Sequence, residues 1–258
     1  MSGEVRIVRE SAIGWMVFDH LERRNAITAE MWAAIPPAAQ SLDDDESVRV
    51  VILRGAGEEA FVAGADISEF EQLRSGEAGS QYEDRNARAF AALQAIEKPV
   101  IAMIHGFCIG GGMALALCAD IRYAADDATF AIPAARLGLG YPPHGLAALV
   151  RVVGHPAAKE ILFTARRLDA DEALRKGLVN AVVPKAELAS FVRKSAADIA
   201  ANAPLTIRSA KRVLDALGHG GHGLDDAVDS VRACFESEDY REGVRAFLEK
   251  RKPVFRGR

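Results

Sequence analysis

Two glycine-rich turns are the segments of this chain whose backbone groups are best suited to bind a reacting group. One reads A-G-A-D over residues 63–66, and the other reads G-G-G over residues 110–112. Each follows a short apolar run and precedes a helix-forming segment, so we expect a strand, a tight turn and a helix N-terminus at both places. The first amides of a helix have no acceptor within it and lie at the positive end of its dipole. Both turns are therefore predicted to stabilise negative charge.

The kind of negative charge has three interpretations. If the two turns face each other, their N–H groups form an oxyanion hole, which stabilises an enolate or a tetrahedral oxyanion. Phosphate binding is a second interpretation, but neither G-x-x-x-x-G-K-[ST] nor G-x-G-x-x-G occurs at either turn. In the third, the glycines only allow a helix to pack closely on a strand. The spacing alone leaves these open.

The elements that must position the turns alternate between strands and helices. Strands are predicted around 5–7, 14–18, 48–53, 61–63, 100–104, 121–124, 128–131 and 178–183, and helices at 28–42, 82–96, 146–153, 156–164 and 170–176. Pro36 and Pro37 are expected to kink or split the first helix. Residues 74–81 have the composition of a mobile loop, and a helix is expected to start near Ile67. Everything after residue 186 is predicted to be helical, with breaks at Pro204 and at 218–223.

Composition excludes several classes of function. The formal charge of −4 and the absence of a Lys/Arg cluster argue against a nucleic-acid partner. The apolar run that starts at Met113 is too short to span a membrane, so no membrane association is expected. The N-terminal residues carry no basic stretch followed by an apolar one, and the three cysteines suit a reducing compartment. We therefore expect a cytoplasmic protein.

Three separated motifs occur in the order A-G-A-D-I, G-x-x-x-G-G-G-x-x-L-A-x-x-x-D, and S-E-D-Y-R-E-G-V-R-A-F-L-E-K-R-K-P-x-F near the C-terminus. Together they resemble the enoyl-CoA hydratase/isomerase (crotonase) superfamily. The resemblance extends from about Val5 to Phe255. It implies an α/β fold, a crotonase-like spiral of ββα units with a C-terminal helical trimerisation region. The expected domains are 1–195, the α/β core with the acyl-CoA site, and 196–258, the helical oligomerisation region.

The resemblance also implies the partners. They are an acyl-CoA thioester and further copies of the chain, in a homotrimer or a hexamer. No metal is expected and no cofactor, because coenzyme A enters as part of the substrate.

Substrate-binding positions follow from the same resemblance. The backbone amides of Ala65 and Gly111 would bind the thioester oxygen. The loop from Arg23 to Ala26 would line the coenzyme A entrance, and Asp66 with Ile67 would lie beside the adenine end. Further substrate contacts are predicted at Ala63, Gly110, Ala114, Pro133, Ala134, Lys252 and Phe255, of which the last two would reach a coenzyme A site, in a neighbouring subunit if not in their own.

The chain departs from the hydratases of this family where they place their two glutamates. Those positions correspond to Ala114 and Ala134 here, and the position of an aspartate found in some relatives corresponds to Pro142. A general acid or base contributes about 10²–10⁴-fold in rate, so ordinary hydration should be crippled. Decarboxylation of a malonyl-type thioester, or another reaction that does not need the two glutamates, is therefore favoured, because loss of CO₂ supplies the electrons of the enolate.

Tyr141 and His144 are the remaining catalytic candidates. The family's methylmalonyl-CoA decarboxylases have a tyrosine in the loop that contains Tyr141, although they have histidine where this chain has Ala65. Tyr141 would hold a substrate carboxylate or donate a proton, or it would simply pack with its hydroxyl in water. His144 would be an acid/base or a surface residue. The alternatives are a true hydratase/isomerase that uses other groups, and a non-catalytic acyl-CoA-binding subunit.

Overall fold

Strands and helices alternate through the first two thirds of the chain, and helices follow. The computed structural model describes residues 3–66 and 76–258. The strands are β1 Glu4–Glu10, β2 Ile13–Asp19, β3 Val50–Gly55, β4 Ala60–Val62, β5 Val100–Ile104, β6 Phe107–Ile109, β7 Ile121–Ala125, β8 Thr129–Ala131, β9 Leu168–Asp169 and β10 Ala181–Val183. The α-helices are α1 Ala29–Asp44, α2 Gly76–Gln94, α3 Gly111–Leu117, α4 Pro143–Thr164, α5 Ala170–Arg175, α6 Lys185–Ala200, α7 Pro204–Gly218, α8 Leu224–Glu236 and α9 Glu238–Leu248. Short 3-10 helices cover Leu21–Arg23 and Pro133–Arg136.

The strands form two sheets, and from β3 to β8 successive strands belong alternately to the larger and the smaller sheet. The larger sheet has the order β1-β2-β3-β5-β7-β10, and the smaller has the order β4-β6-β8-β9. Strands β2, β3, β5, β7 and β10 are parallel, as are β4, β6 and β8. Each of β3, β5 and β7 is followed within a few residues by a strand of the smaller sheet. This strand–strand repeat confirms the predicted ββα spiral.

The larger sheet is covered on both faces, as parallel sheets require. All five residues of β5 are buried. One face packs against α1 and the smaller sheet, where Trp32, Ile35 and Phe61 are buried. The other face packs against α6 through Leu188, Val192 and Ala196. The core thus fixes the strand ends from which both glycine turns emerge.

Several sequence predictions hold at the level of single residues. The hydroxyl of Thr28 accepts a hydrogen bond from the Met31 amide and so caps α1 as expected. The break predicted between 153 and 156 is present, because Gly154 has a φ of 73° inside α4. Helices α6 to α9 confirm the helical C-terminal region. The predicted domain boundary at 195/196 falls inside α6, and the boundary itself stays a prediction.

Two predictions of local structure differ from the structure. Helix α1 runs through Pro36 and Pro37 as one helix, so the predicted split is absent, because the buried face of α1, which includes Met31, Ile35 and Leu42, holds it against the sheet. Residues 76–81 are not a loop, because α2 starts at Gly76 rather than at Tyr82. The remainder of the predicted loop and the helix start at Ile67 lie outside the described residues. Among the described residues, no helix is both long and apolar enough to serve as a membrane span.

His105, at the end of β5, predicts a pH dependence of stability. Its side chain is 4% exposed, and burial, followed by the positive charges of Arg54 and Lys185, lowers its pKa from 6.5 to about 4. Between these values the unfolded chain binds a proton that the folded chain does not. The free energy of unfolding should therefore fall by roughly 3 kcal/mol as the pH drops from about 6.5 to about 4, with no further loss from this group below that.

Urea unfolding at a series of pH values between 7 and 4 measures this effect. The variant His105→Gln should be less stable at pH 7 but should show a flatter pH dependence than the wild type. Equal slopes in the two proteins would contradict this role of His105.

Candidate active site

The two glycine turns lie side by side at one edge of the smaller sheet. The first follows β4 and the second follows β6, and these two strands are parallel neighbours. Their carboxyl ends therefore meet at the same edge, where open α/β sheets bind ligands. A Cβ placed on Gly111 would lie 3.6 Å from the amide nitrogen of Ala65. The predicted juxtaposition of the two turns is present.

The amides of Ala65 and Gly111 both lack an acceptor in the described part of the chain. Ile27 pairs with the first turn as in a parallel ladder, donating to the Gly64 carbonyl at 2.8 Å and accepting from the Asp66 amide at 3.0 Å. The groups of Ala65 consequently point away from Ile27. Gly111 is the first residue of α3, where amides have no partner within the helix. Two unpaired donors thus lie next to each other.

Close packing of a helix on a strand explains why one position of the two turns must be glycine, but it does not explain the other positions. A Cβ on Gly112 would lie 2.1 Å from the Val62 carbonyl oxygen, so this glycine lets α3 pack directly on β4. Gly110 has a φ of 53° and Gly64 a φ of 121°, which only glycine adopts readily. The packing interpretation therefore holds for Gly112, whereas Gly64 and Gly110 shape the turns.

A cavity of about 150 Å³ opens in front of the two turns. Most of the predicted site residues line it, namely Ala63, Ala65, Gly110, Gly111, Ala114, Pro133, Ala134, Tyr141 and His144. The two positions at which related hydratases would carry glutamates, Ala114 and Ala134, are thus both in the wall. That wall is apolar at these two places.

Aromatic side chains from three helices form another part of the wall. Trp32 of α1 contacts Phe90 of α2 edge to face, with ring centroids 5.3 Å apart. Phe90 in turn lies 5.7 Å from the ring of His144 at the start of α4. The indole N–H of Trp32 donates to the Tyr82 hydroxyl at 3.1 Å. Since a Cβ on Gly111 would lie 3.2 Å from Trp32, the indole connects α2 to the second turn.

Tyr141 and His144 differ in their exposure. The prediction that a merely packed Tyr141 would have its hydroxyl in water is wrong, because the hydroxyl is buried and has no partner among the described residues. Gly145 makes room for the ring, since a Cβ there would lie 2.6 Å from Cε1 of Tyr141. Burial raises the pKa of this hydroxyl, which keeps it protonated as a donor. His144 is exposed at the rim.

The remaining predicted residues do not line the cavity. Arg23 is exposed and Ala26 is buried in the loop beside the first turn, where the Ala63 amide donates to the Arg24 carbonyl at 3.1 Å. Asp66 ends that turn, and Ile67 lies outside the described residues. Lys252 is exposed in the C-terminal segment. Phe255 lies against Gly243 of α9, so neither Lys252 nor Phe255 reaches the cavity of its own chain.

Sequence reasoning missed two polar residues of the wall, Glu83 and Asn86 on α2. Glu83 is exposed, whereas Asn86 is 7% exposed and its Oδ1 has no partner among the described residues. Together with Phe90 they occupy positions i, i+3 and i+7, which share one face of a helix. This spacing in the sequence could have indicated that the three side chains share one helix face. Polar residues at such positions usually face water, however, so the sequence alone did not place them at the site.

Comparison with known proteins identifies the family that shares this fold. The family model described as enoyl-CoA hydratase/isomerase matches residues 8–258. A short-chain-enoyl-CoA hydratase of Clostridium acetobutylicum is 36% identical over 96% of this chain and 95% of its own length. A crotonyl-CoA hydratase of Syntrophomonas wolfei is 38% identical over the same shares. The crystal structure of an enoyl-CoA hydratase/carnithine racemase from Magnetospirillum magneticum superposes with a TM-score of 0.95 at 39% identity, covering 98% of this chain and 96% of that one. The chain therefore belongs to the enoyl-CoA hydratase/isomerase family of the crotonase superfamily.

Proposed function

We propose that this protein binds an acyl-CoA thioester and stabilises its enolate between the amides of Ala65 and Gly111. The observation that supports this most is the proximity of two unpaired backbone donors at one cavity, with Ala65 N only 3.6 Å from a Cβ position on Gly111. A donor of this kind contributes roughly 3–4 kcal/mol to transition-state stability. Family membership supports a thioester as the substrate.

Decarboxylation of a malonyl-type thioester is the reaction we favour. In that step the bond from the α-carbon to the carboxylate carbon breaks, its electrons form the enolate, and CO₂ leaves. No base is needed, which suits a wall with alanine at positions 114 and 134. Tyr141 supplies a protonated hydroxyl at the same wall, where it would hold the departing carboxylate. Other reactions that form an enolate without the paired glutamates belong to the same proposal.

A panel of substrates tests the proposal. The purified protein is incubated with methylmalonyl-CoA and with crotonyl-CoA, and CO₂ release and hydration are followed separately. We expect saturable CO₂ release and little hydration. Robust hydration of crotonyl-CoA without CO₂ release would overturn the decarboxylase assignment, and binding of both thioesters without turnover would indicate a non-catalytic acyl-CoA-binding subunit instead.

Hydration or isomerisation with a different acid/base group is the second candidate. Glu83 favours it, because this residue brings a carboxylate into the cavity wall from α2. The relatives named above as hydratases also support it. Conversion of a 3-enoyl-CoA to its 2-enoyl isomer, measured beside the two substrates of the panel, separates this candidate from decarboxylation.

The exposed apolar side chains of the C-terminal helices support a homotrimer or a hexamer. Phe247 is 84% exposed and Leu248 is 75% exposed, both at the end of α9. Leaving such side chains in water costs about 1.5–3 kcal/mol each relative to burial, which favours covering them with another subunit. Light scattering should give three or six times the mass of the chain. Phe247→Asp should shift the protein toward smaller species, and Val8→Asp, at another exposed apolar position, should not. A monomeric wild type would contradict the assembly.

A further inference from the structure

We propose that Glu83 is the acid/base residue that moves a proton to and from the α-carbon of the bound thioester. This inference rests on the proposed function, because it needs a thioester oxygen held by Ala65 and Gly111. It assigns a chemical role to α2, a helix that none of the sequence motifs includes.

The face of α2 that contains Glu83 is fixed against the glycine turns. Phe90 packs on Trp32, and Trp32 lies next to the Gly111 position. Glu83 lies seven residues, or about 10 Å along the helix axis, before Phe90. Both residues line the cavity in front of the turns. The side chain of Glu83 is therefore directed to the same space as the two unpaired amides.

Asn86 provides a second and independent observation on this face. It is one turn after Glu83, its side chain is 7% exposed, and its Oδ1 has no partner among the described residues. Buried polar atoms almost always have hydrogen-bond partners, so an unpaired one at a cavity indicates a group supplied by the ligand. The helix thus directs polar side chains from two successive turns at the bound molecule, and Asn86 is a positioning residue for it.

Among the described residues that line the cavity, Glu83 is the only carboxylate. The other polar side chains of the wall suit proton removal less well. The Tyr141 hydroxyl is buried, and burial raises its pKa, so it serves as a donor. His144 lies against the ring of Phe90 at the rim. The exposure of the Glu83 side chain also favours this role, because a proton that it takes from carbon must exchange with water.

The proposed step is balanced without any further reagent. A carboxylate oxygen of Glu83 takes the proton of the α-carbon, and the electrons of the C–H bond form the enolate, whose oxygen carries the charge between the two amides. The resulting carboxyl group exchanges its proton with solvent. Return of a solvent proton to the α-carbon regenerates the thioester. After decarboxylation, the Glu83 carboxylate takes a proton from solvent and delivers it to the α-carbon of the enolate, which completes the product.

Deuterium exchange into butyryl-CoA tests this step. This probe has no double bond and no carboxylate, so proton exchange at its α-carbon is the only reaction followed. Mass spectrometry in D₂O should show incorporation by the wild type. Glu83→Gln should lower the rate of incorporation about 10²–10⁴-fold. Asp84→Asn, which changes the next exposed carboxylate of α2 but does not line the cavity, should exchange like the wild type.

The outcomes separate this inference from the proposed function. Exchange by Glu83→Gln at the wild-type rate, or no exchange by the wild type, would overturn the role of Glu83. The oxyanion hole is judged independently by CO₂ release from methylmalonyl-CoA, which needs no base. A thermal melt and the affinity for butyryl-CoA confirm that Glu83→Gln is folded and binds the probe.

Discussion

Gly111→Pro is expected to lower CO₂ release from methylmalonyl-CoA by about 10²–10³-fold, because proline removes one of the two N–H donors at the cavity. The substitution is compatible with the helix. Gly111 is the first residue of α3, a position at which proline is favoured and the amide has no helical acceptor. The preceding Gly110 has a ψ of −109°, outside the α region that a following proline disfavours.

Gly111→Ala is the matched control for this variant. Both substitutions place a Cβ where it would lie 3.2 Å from Trp32, but alanine keeps the N–H group. The difference in kcat between the two variants therefore excludes the contact with the indole and measures the loss of the oxyanion position, where proline both removes the N–H donor and places its Cδ. Coenzyme A binding and thermal unfolding should be similar in both. Equal turnover by the proline and alanine variants would show that the Gly111 amide is not part of an oxyanion hole.

The glycine turns were predictable because their geometry depends on residue type. Gly64 and Gly110 adopt positive φ values, and a Cβ on Gly112 would overlap the Val62 carbonyl. The alternation of strands and helices was equally accessible, since apolar runs such as β5 are buried on both faces. Local pattern thus predicted a layered α/β core and the position of the two turns, whereas the spiral arrangement was implied by the family resemblance.

The side chains that complete the cavity depend on contacts between distant segments. Glu83 and Asn86 have the polarity of a solvent-facing helix surface, and only the packing of Phe90 on Trp32 directs that surface to the cavity. Similarly, the ring of Tyr141 fits because residue 145 is glycine. The sequence does not reveal this contact, because it depends on how the chain turns into α4. The composition of residues 74–81, which read R-S-G-E-A-G-S-Q, indicated a loop, whereas α2 begins at Gly76.

The double variant Ala114→Glu/Ala134→Glu is expected to gain hydration of crotonyl-CoA by about 10²–10⁴-fold over the wild type. Both alanines lie in the wall of the cavity that the amides of Ala65 and Gly111 face. Glutamates there would be placed as the resemblance implies for hydratases, on either side of a water molecule. Each single variant should gain less, because a single added carboxylate contacts the water molecule from one side only.

The same double variant should lose CO₂ release, since two added carboxylates repel the carboxylate of a malonyl-type substrate in a small apolar cavity. Ala114→Gln/Ala134→Gln fills the same space without charge and separates this repulsion from crowding. Ala135→Glu adds a carboxylate to the exposed neighbour of Ala134, outside the wall, and should leave both activities unchanged. If the folded double glutamate variant hydrates crotonyl-CoA no faster than the double glutamine variant, positions 114 and 134 do not face the reacting carbons. A rise in hydration with a fall in CO₂ release would instead show that two side chains on one oxyanion hole decide between the reactions.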